Sequence, residues 1–219
     1  MIIEISFHHL ETKEIDLKTD IVRAIKYQPD YISVFSQYVK LAKKITNNNT
    51  PITTPVDYPL GISDLKTRQT EIITAGKNGA SKVDIVIPTL YLINRKYDKF
   101  REDIKNNLEL CQTLDINLNY MLEYRIFNHL ALTKICNILK EFKLSTTYVS
   151  TGYMLDDIGD NLIASMYLAQ KADMKTIING NIWQKNQIAN IAKHKPYGLR
   201  LKNIYSLELW YDSQKNQTR

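Results

Sequence analysis

The sequence predicts a single α/β domain, a (β/α)8 barrel of the TIM type, over residues 1–219. β-like runs alternate with helix-like runs from one end to the other, which is typical of parallel strands joined by crossover helices. About eight such units are present, and eight units favour closure of the sheet into a barrel. An open doubly wound sheet is the alternative, but no G-x-G-x-x-G motif follows the first strand.

The elements follow one another without a long low-complexity linker. The predicted strands are residues 2–7, 31–35, 52–56, 83–87, 117–122, 146–150, 176–178 and 197–201. The predicted helices between the first six strands are residues 18–26, 38–45, 64–77, 96–111 and 129–141. In the fourth of these helices Phe100, Ile104, Leu108 and Cys111 recur at three- and four-residue intervals, which gives one apolar stripe for packing against the sheet.

Composition excludes several classes of protein. Apolar residues make up 44% and charged residues 24% of the chain, which is ordinary for a globular domain. No apolar run reaches the roughly 18 residues of a membrane span, and no basic segment precedes the first apolar residues, so we expect neither a membrane partner nor a signal peptide. Cys111 and Cys136 lie outside any cysteine motif and predict buried thiols in a reducing cytoplasm.

The net charge of +6 raises the question of a nucleic-acid partner. The 29 basic residues are scattered, and the densest clusters, residues 40–44 and 193–195, have no interleaved aromatic side chains for stacking bases. A solvated helix face explains these clusters better. We therefore expect no nucleic-acid partner, while a mild attraction for anionic metabolites fits the same charge balance.

Four blocks of sequence, in this order, resemble the deoxyribose-phosphate aldolase family, whose members are short (β/α)8 barrels. They are residues 32–43 (ISVFSQYVKLAK), 58–61 (YPLG), 82–87 (KVDIVI) and 150–153 (STGY). Residues 121–123 and 179–182 resemble the family more weakly. The resemblance implies a carbon–carbon lyase that acts on small aldehydes and sugar phosphates, without a cofactor or metal. It leaves open a homo-oligomer.

The family's chemistry depends on residues of which only one is kept. A lysine on strand six forms a Schiff base with the aldehyde, a second lysine on strand seven lowers its pKa, and an aspartate on strand four relays protons. The resemblance places Asp84 on the aspartate, and Tyr148 and Ile177 on the two lysines. Neither replacement can form a Schiff base. Tyr148 could donate a hydrogen bond or act as a weak acid, or it could fill the space of the lost lysine.

Two functions remain open on this basis. One is an enzyme that uses acid–base chemistry through Asp84, with Glu123 and Tyr148 assisting and Arg125 as a candidate partner for Glu123. The other is a catalytically inactive relative that serves as a binding or interaction module. Lys175 and Lys202 are the lysines considered as replacements. Lys175 falls about 7 Å toward the opposite end of the barrel from the site, by the rise of two strand residues.

A phosphate or substrate site is expected at the carboxyl ends of the strands, where barrel enzymes carry their ligands. The candidates are Ser150, Thr151 and Gly152 after strand six, Asn179 and Gly180 after strand seven, and Arg200 and Lys202 after strand eight. Backbone N–H groups and cations there would bind an anion. His8 and His9 close strand one, either as a general base or anion contact or as part of a surface turn.

Overall fold

The barrel is closed in the computed structural model, which describes residues 1–9, 11, 13–154 and 157–217. Its strands are β1 (Ile2–Phe7), β2 (Tyr31–Val34), β3 (Ile52–Val56), β4 (Lys82–Val86), β5 (Asn117–Met121), β6 (Thr146–Tyr148), β7 (Lys175–Gly180) and β8 (Gly198–Leu201). Each strand pairs in parallel with the next, and β8 pairs with β1. The predicted (β/α)8 barrel is confirmed, although the predicted span of 1–219 includes residues outside the described set.

Helices cover the outside of the barrel. They are α1 (Glu14–Ala24), α2 (Val39–Ile45), α3 (Leu65–Asn78), α4 (Thr89–Ile93), α5 (Tyr97–Thr113), α6 (His129–Glu141), α7 (Ile158–Ala172), α8 (Lys185–His194) and α9 (Ile204–Gln217). Side-chain caps fix where three of them begin: Asp64 accepts from Thr67 N, Asn128 from Ala131 N and Asp157 from Gly159 N. Among the described residues, no helix combines the length and the hydropathy of a membrane span.

The two faces of the strands bury different kinds of side chain. Ile5, Ile32 and Ile85 are fully buried in the large apolar core that the helices help to form. The alternate positions face the barrel interior, because successive side chains of a strand point to opposite faces. There, charged and hydroxyl side chains pack beside a small apolar cluster of Val86, Met121, Tyr148 and Ile177.

Candidate functional site

Four charged side chains meet inside the barrel. Glu4 on β1, Lys82 and Asp84 on β4, and Arg200 on β8 are each at most 5% exposed. Arg200 Nη2 lies 2.6 Å from Glu4 Oε1 and also contacts Asp84 Oδ2. Lys82 Nζ lies 3.5 Å from Asp84 Oδ1 and 3.6 Å from Glu4 Oε2. Two cations thus balance two carboxylates, which is the condition under which charges remain buried.

Tyr148 completes this network at the position that the resemblance assigns to the Schiff-base lysine. Its hydroxyl donates to Glu4 Oε2 at 2.7 Å and accepts from Lys82 Nζ at 2.8 Å. The guanidinium carbon of Arg200 lies 3.8 Å from the centroid of the Tyr148 ring, a cation–π distance. Burial raises the pKa of Tyr148 well above its ordinary value, although the charge of Arg200 opposes the shift. Tyr148 is therefore a neutral hydrogen-bond donor at neutral pH.

Asp84 is ionised and fully buried. Burial alone would raise the pKa of Asp84, but the charges of Lys82 and Arg200 outweigh it and hold the pKa below its usual value. Thr53 Oγ1 donates a 2.7 Å hydrogen bond to Asp84 Oδ2. A carboxylate held in this way accepts hydrogen bonds and makes no direct contact with solvent.

A line of hydroxyl groups connects Asp84 to the barrel mouth. Thr53 Oγ1 lies 3.3 Å from Ser33 Oγ, and Ser33 Oγ lies 2.9 Å from His8 Nε2. His8 follows the carboxyl end of β1 and is half-buried, with its ring centroid 5.2 Å from that of Phe35 and 5.3 Å from that of Tyr58. Burial lowers the pKa of His8 well below its ordinary value, and the charge of Arg200 adds to the shift. The imidazole is consequently neutral at neutral pH.

A cavity of about 350 Å³ opens at the mouth, between the turns after β6, β7 and β8. The residues that line it include Gly152, Tyr153, Asn179, Gly180, Trp183 and Lys202. Gly152 has φ +69°, and a Cβ atom there would lie 2.7 Å from Asn179 Nδ2, so the turn requires glycine. Lys202 Nζ donates to the Gly152 carbonyl, which ties the turn after β6 to the segment after β8.

Of the seven predicted binding residues, four line the mouth cavity and three, Ser150, Thr151 and Arg200, do not. Gly152, Asn179, Gly180 and Lys202 line the mouth cavity, as a substrate site there requires. The prediction that Arg200 binds a ligand does not agree with its position, because its side chain is fully buried and paired with Glu4 and Asp84.

Ser150 and Thr151 are buried and hold the turn after β6 in place. Ser150 Oγ donates to Asn161 Oδ1 at 2.9 Å, and Thr151 Oγ1 donates to Glu123 Oε2 at 2.8 Å. Glu123 is 5% exposed, so its carboxylate supports this turn from beneath. Arg125, considered above as a partner for Glu123, lies 2.8 Å from Asp160 Oδ2.

Among the described residues, the cavity lining contains one acidic side chain, Asp157, and one basic side chain, Lys202. Asp157 also lines the cavity, but its Oδ1 accepts the Gly159 N–H at 2.6 Å and so caps α7. Lys202 is half-buried, and its Nζ donates to the Gly152 carbonyl. Within the part of the chain that the structure describes, no three His, Cys, Asp or Glu side chains are grouped to hold a metal ion.

Sequence reasoning missed the partners of the predicted residues. Glu4 and Lys82 were not candidates, although each occupies a strand position that alternates with buried apolar residues, Ile3 and Ile5 around Glu4 and Val83 after Lys82. In a barrel whose outer face is covered by helices, such an alternation places the charge inside. Ser33 and Thr53 carried no recognisable signal, because hydroxyl side chains are common in strands.

Comparisons with known proteins agree with the sequence resemblance. No family model matches the chain. Curated relatives include the deoxyribose-phosphate aldolase of Mannheimia succiniciproducens, 31% identical over 121 residues, which are 54% of this chain and 53% of that protein. The deoxyribose-phosphate aldolase of Metamycoplasma hominis is 26% identical over 185 residues, 77% of this chain and 84% of that protein. The chain spans about half the length of the first relatives it matches.

Solved structures extend the similarity to the whole barrel. The tetrameric deoxyribose phosphate aldolase from Aeropyrum pernix superposes with a TM-score of 0.81 at 16% identity, covering 97% of this chain and 90% of that one. An aldolase designated QR15 gives a TM-score of 0.80 at 18% identity over 99% of this chain and 96% of that one. At these identities the structures bear on the fold alone. The resemblance inferred from the four sequence blocks is confirmed by the relatives and the shared fold together.

Proposed function

We propose, from the similarity of this chain to deoxyribose-phosphate aldolases, that it acts on a small phosphorylated aldehyde or sugar bound at the barrel mouth. The single observation that carries the proposal is the mouth cavity between the turns after β6, β7 and β8. Four of the residues expected to bind substrate line it: Gly152, Asn179, Gly180 and Lys202. Phosphate groups in barrels of this type are held at the corresponding turns.

The chemistry of the lining supports a phosphorylated ligand. Lys202 supplies a cation, and charge-assisted hydrogen bonds to phosphate are among the stronger polar contacts. Asn179 is 2% exposed, and its Oδ1 accepts no hydrogen bond from the residues that the structure describes. A sugar hydroxyl that reached this buried acceptor would satisfy it. Tyr153 and Trp183, at 53% and 70% exposure, offer apolar faces to the sugar carbons.

Acid–base chemistry, rather than a Schiff base, is the reaction type that we propose. The resemblance assigns Tyr148 and Ile177 to the two lysine positions of the family. Lys82, whose amine contacts the Tyr148 hydroxyl, is 5% exposed and lies within 3.6 Å of two carboxylates. Lys82 is engaged in these buried contacts and does not line the mouth cavity, so we assign it no role as a nucleophile.

Ligand binding without catalysis is the second candidate function. One observation favours it: Asp84, the residue that the resemblance assigns to proton relay, is fully buried beneath the mouth. A binding module would keep the mouth cavity and lose turnover. The two candidates share the ligand and differ only in whether the ligand is changed.

Titration of deoxyribose 5-phosphate against unphosphorylated deoxyribose tests the proposal. We expect the phosphorylated sugar to bind more tightly. Lys202→Met should weaken the binding of deoxyribose 5-phosphate about tenfold or more, since a hydrogen bond to a charged group contributes about 1.5–3 kcal/mol. Lys171→Met, at an exposed position on α7, is the matched control. Equal affinities for the two sugars would contradict the proposal, and consumption of the bound sugar separates enzyme from binding module.

The proposal also covers the cellular localisation and the oligomeric state of the protein. We place the activity in the cytoplasm, which the two buried free thiols Cys111 and Cys136 support. A homo-oligomer is part of the proposal and is supported by the tetramer named for the Aeropyrum pernix protein. Gel filtration with light scattering tests the assembly, and a monomer would contradict that part alone.

A further inference from the structure

We propose that His8 is the general base of the reaction at the mouth, and that Asp84 is a positioning residue that sets the tautomer of His8 through Thr53 and Ser33. The first half rests on the proposed function, because it needs the phosphorylated ligand in the mouth cavity. The second half concerns the protein alone and is tested without ligand. Sequence reasoning left His8 open between a general base and a surface turn.

The direction of the hydrogen bonds follows from the ionised carboxylate. Asp84 can only accept, so Thr53 donates its one hydroxyl hydrogen to Asp84 Oδ2 at 2.7 Å. Thr53 then accepts from Ser33, whose hydroxyl hydrogen is used in that contact of 3.3 Å. In this arrangement Ser33 accepts from His8, with the hydrogen on His8 Nε2 and the two atoms 2.9 Å apart. In a neutral imidazole this leaves the lone pair on Nδ1.

The surroundings of His8 keep that lone pair free of a proton. The cationic or titratable groups that act on it are Arg200 from β8, Lys202 after β8 and its neighbour His9, while Ser33 and the rings of Phe35 and Tyr58 contact it directly. Burial and these positive charges lower the pKa of His8. A histidine that is neutral and half-exposed near neutral pH has the protonation state of a general base.

The ring of Tyr58 separates His8 from the lining of the mouth cavity. The His8 ring packs on Tyr58, and the centroid of Tyr58 lies 6.2 Å from that of Tyr153, which lines the cavity. Lys202 both lines the cavity and acts on the charge of His8. A ligand whose phosphate lies at Lys202 would therefore place its carbon chain between the turns after β6, β7 and β8 and the rings of Tyr58 and Tyr153.

The step assigned to His8 is proton abstraction next to the carbonyl. The C–H bond breaks, its proton passes to His8 Nδ1, and its electron pair becomes the enolate. The negative charge on the enolate oxygen forms in the field of Lys202 and Arg200, which favours it. The same imidazolium returns a proton, so the step needs no co-reactant.

The tautomer is tested by nitrogen NMR of the protein labelled at histidine, without ligand. We expect His8 to show hydrogen on Nε2 and an unprotonated Nδ1, and Thr53→Val to return it to a mixture of tautomers. Thr53→Val removes the hydroxyl that links Asp84 to Ser33 but keeps the buried charges of Lys82, Asp84 and Arg200. Hydrogen on Nδ1 in the wild-type protein, or no change in Thr53→Val, would overturn the positioning role of Asp84.

The general base is tested by exchange of deuterium from solvent into deoxyribose 5-phosphate, at the carbon next to the aldehyde. We expect exchange by the wild-type protein, a loss of about 100-fold or more in His8→Gln, and no change in His194→Gln on the exposed end of α8. As the pH is lowered, the exchange rate should fall only below pH 6.5, the ordinary pKa of histidine, because the pKa of His8 is lowered. Thr53→Val should lower the rate and shift the pH at which it falls.

The outcomes separate the two proposals. Binding of deoxyribose 5-phosphate without exchange, or equal exchange in the wild-type protein and His8→Gln, overturns the general-base role and leaves the proposed ligand in place. Absence of binding overturns the proposed function and the general-base role with it. The tautomer result decides the positioning role in either case.

Discussion

The hydroxyl of Tyr148 lies 2.7 Å from Glu4 Oε2, a contact that joins β6 to β1 across the inside of the barrel. Lys82 Nζ donates to the same hydroxyl at 2.8 Å. The resemblance to deoxyribose-phosphate aldolases assigns the position of Tyr148 to the lysine that forms the Schiff base. Here the Tyr148 hydroxyl makes structural hydrogen bonds with two buried charged side chains. The polar side chains that a ligand could contact lie at the barrel mouth.

Removal of this hydroxyl should destabilise the fold. Tyr148→Phe leaves the carboxylate of Glu4 and the amine of Lys82 each without one buried partner, so we expect the free energy of unfolding to fall by about 1–3 kcal/mol. Urea denaturation measures it. Tyr153→Phe, at 53% exposure, is the matched control and should change stability by about 0.5 kcal/mol or less. Equal effects of the two variants would contradict the structural role of Tyr148.

Stability should depend on pH through Asp84. Its pKa in the folded protein is below the ordinary value of 3.8, so its contribution is fully present above pH 3.8 and is lost as pH falls through the lowered folded pKa. Asp84→Asn should cost about 3 kcal/mol or more at neutral pH, because it leaves buried cations unpaired. The difference from the wild-type protein should shrink below pH 3.8. Urea midpoints across this range measure it.

Asp98→Asn is the control for that series. Asp98 has a fully exposed side chain, and its ion pair with Arg101 is on the surface. We expect a change of about 1 kcal/mol or less at any pH. A constant difference between Asp84→Asn and the wild-type protein, from neutral to acid pH, would show that Asp84 is not ionised in the folded state.

The turn after β6 should not tolerate a side chain. Gly152→Ala introduces a Cβ atom 2.7 Å from Asn179 Nδ2 at a backbone φ of +69°, so both the backbone and the lining of the cavity must shift. We expect a loss of about 1–2 kcal/mol in stability and a weaker affinity for deoxyribose 5-phosphate. Calorimetric titration measures the affinity. Gly76→Ala in α3 should leave the affinity unchanged, and a normal affinity in Gly152→Ala would argue that the ligand lies elsewhere.

Much of the barrel could be predicted from local sequence pattern. Strand 52–56 and helix 129–141 have the predicted bounds, because an apolar pattern and a capping Asn128 define them locally. The bounds differ where tertiary pairing decides them. β6 ends at Tyr148 rather than residue 150, since Ser150 turns to bond Asn161, and β7 extends to Gly180 because it pairs with β8.

The interior could be predicted only in part. Asp84 is recognisable as a charge within an apolar strand. Lys82 lies two residues away on the same strand, but Glu4 and Arg200 come from β1 and β8, which lie far from β4 in the sequence. Which charges meet inside a barrel depends on strand order and register, and no local pattern encodes those. For the same reason the sequence could not distinguish a ligand-binding Arg200 from a buried one.

The most direct test of the account is reductive trapping with deoxyribose 5-phosphate and borohydride, followed by intact mass measurement. It is made at sugar concentrations that saturate the protein in the titration. We expect the unmodified mass, because Tyr148 and Ile177 cannot form a Schiff base and Lys82 is held between Glu4 and Asp84. A stable adduct that peptide mapping assigns to a lysine, and above all to Lys82, would contradict the account.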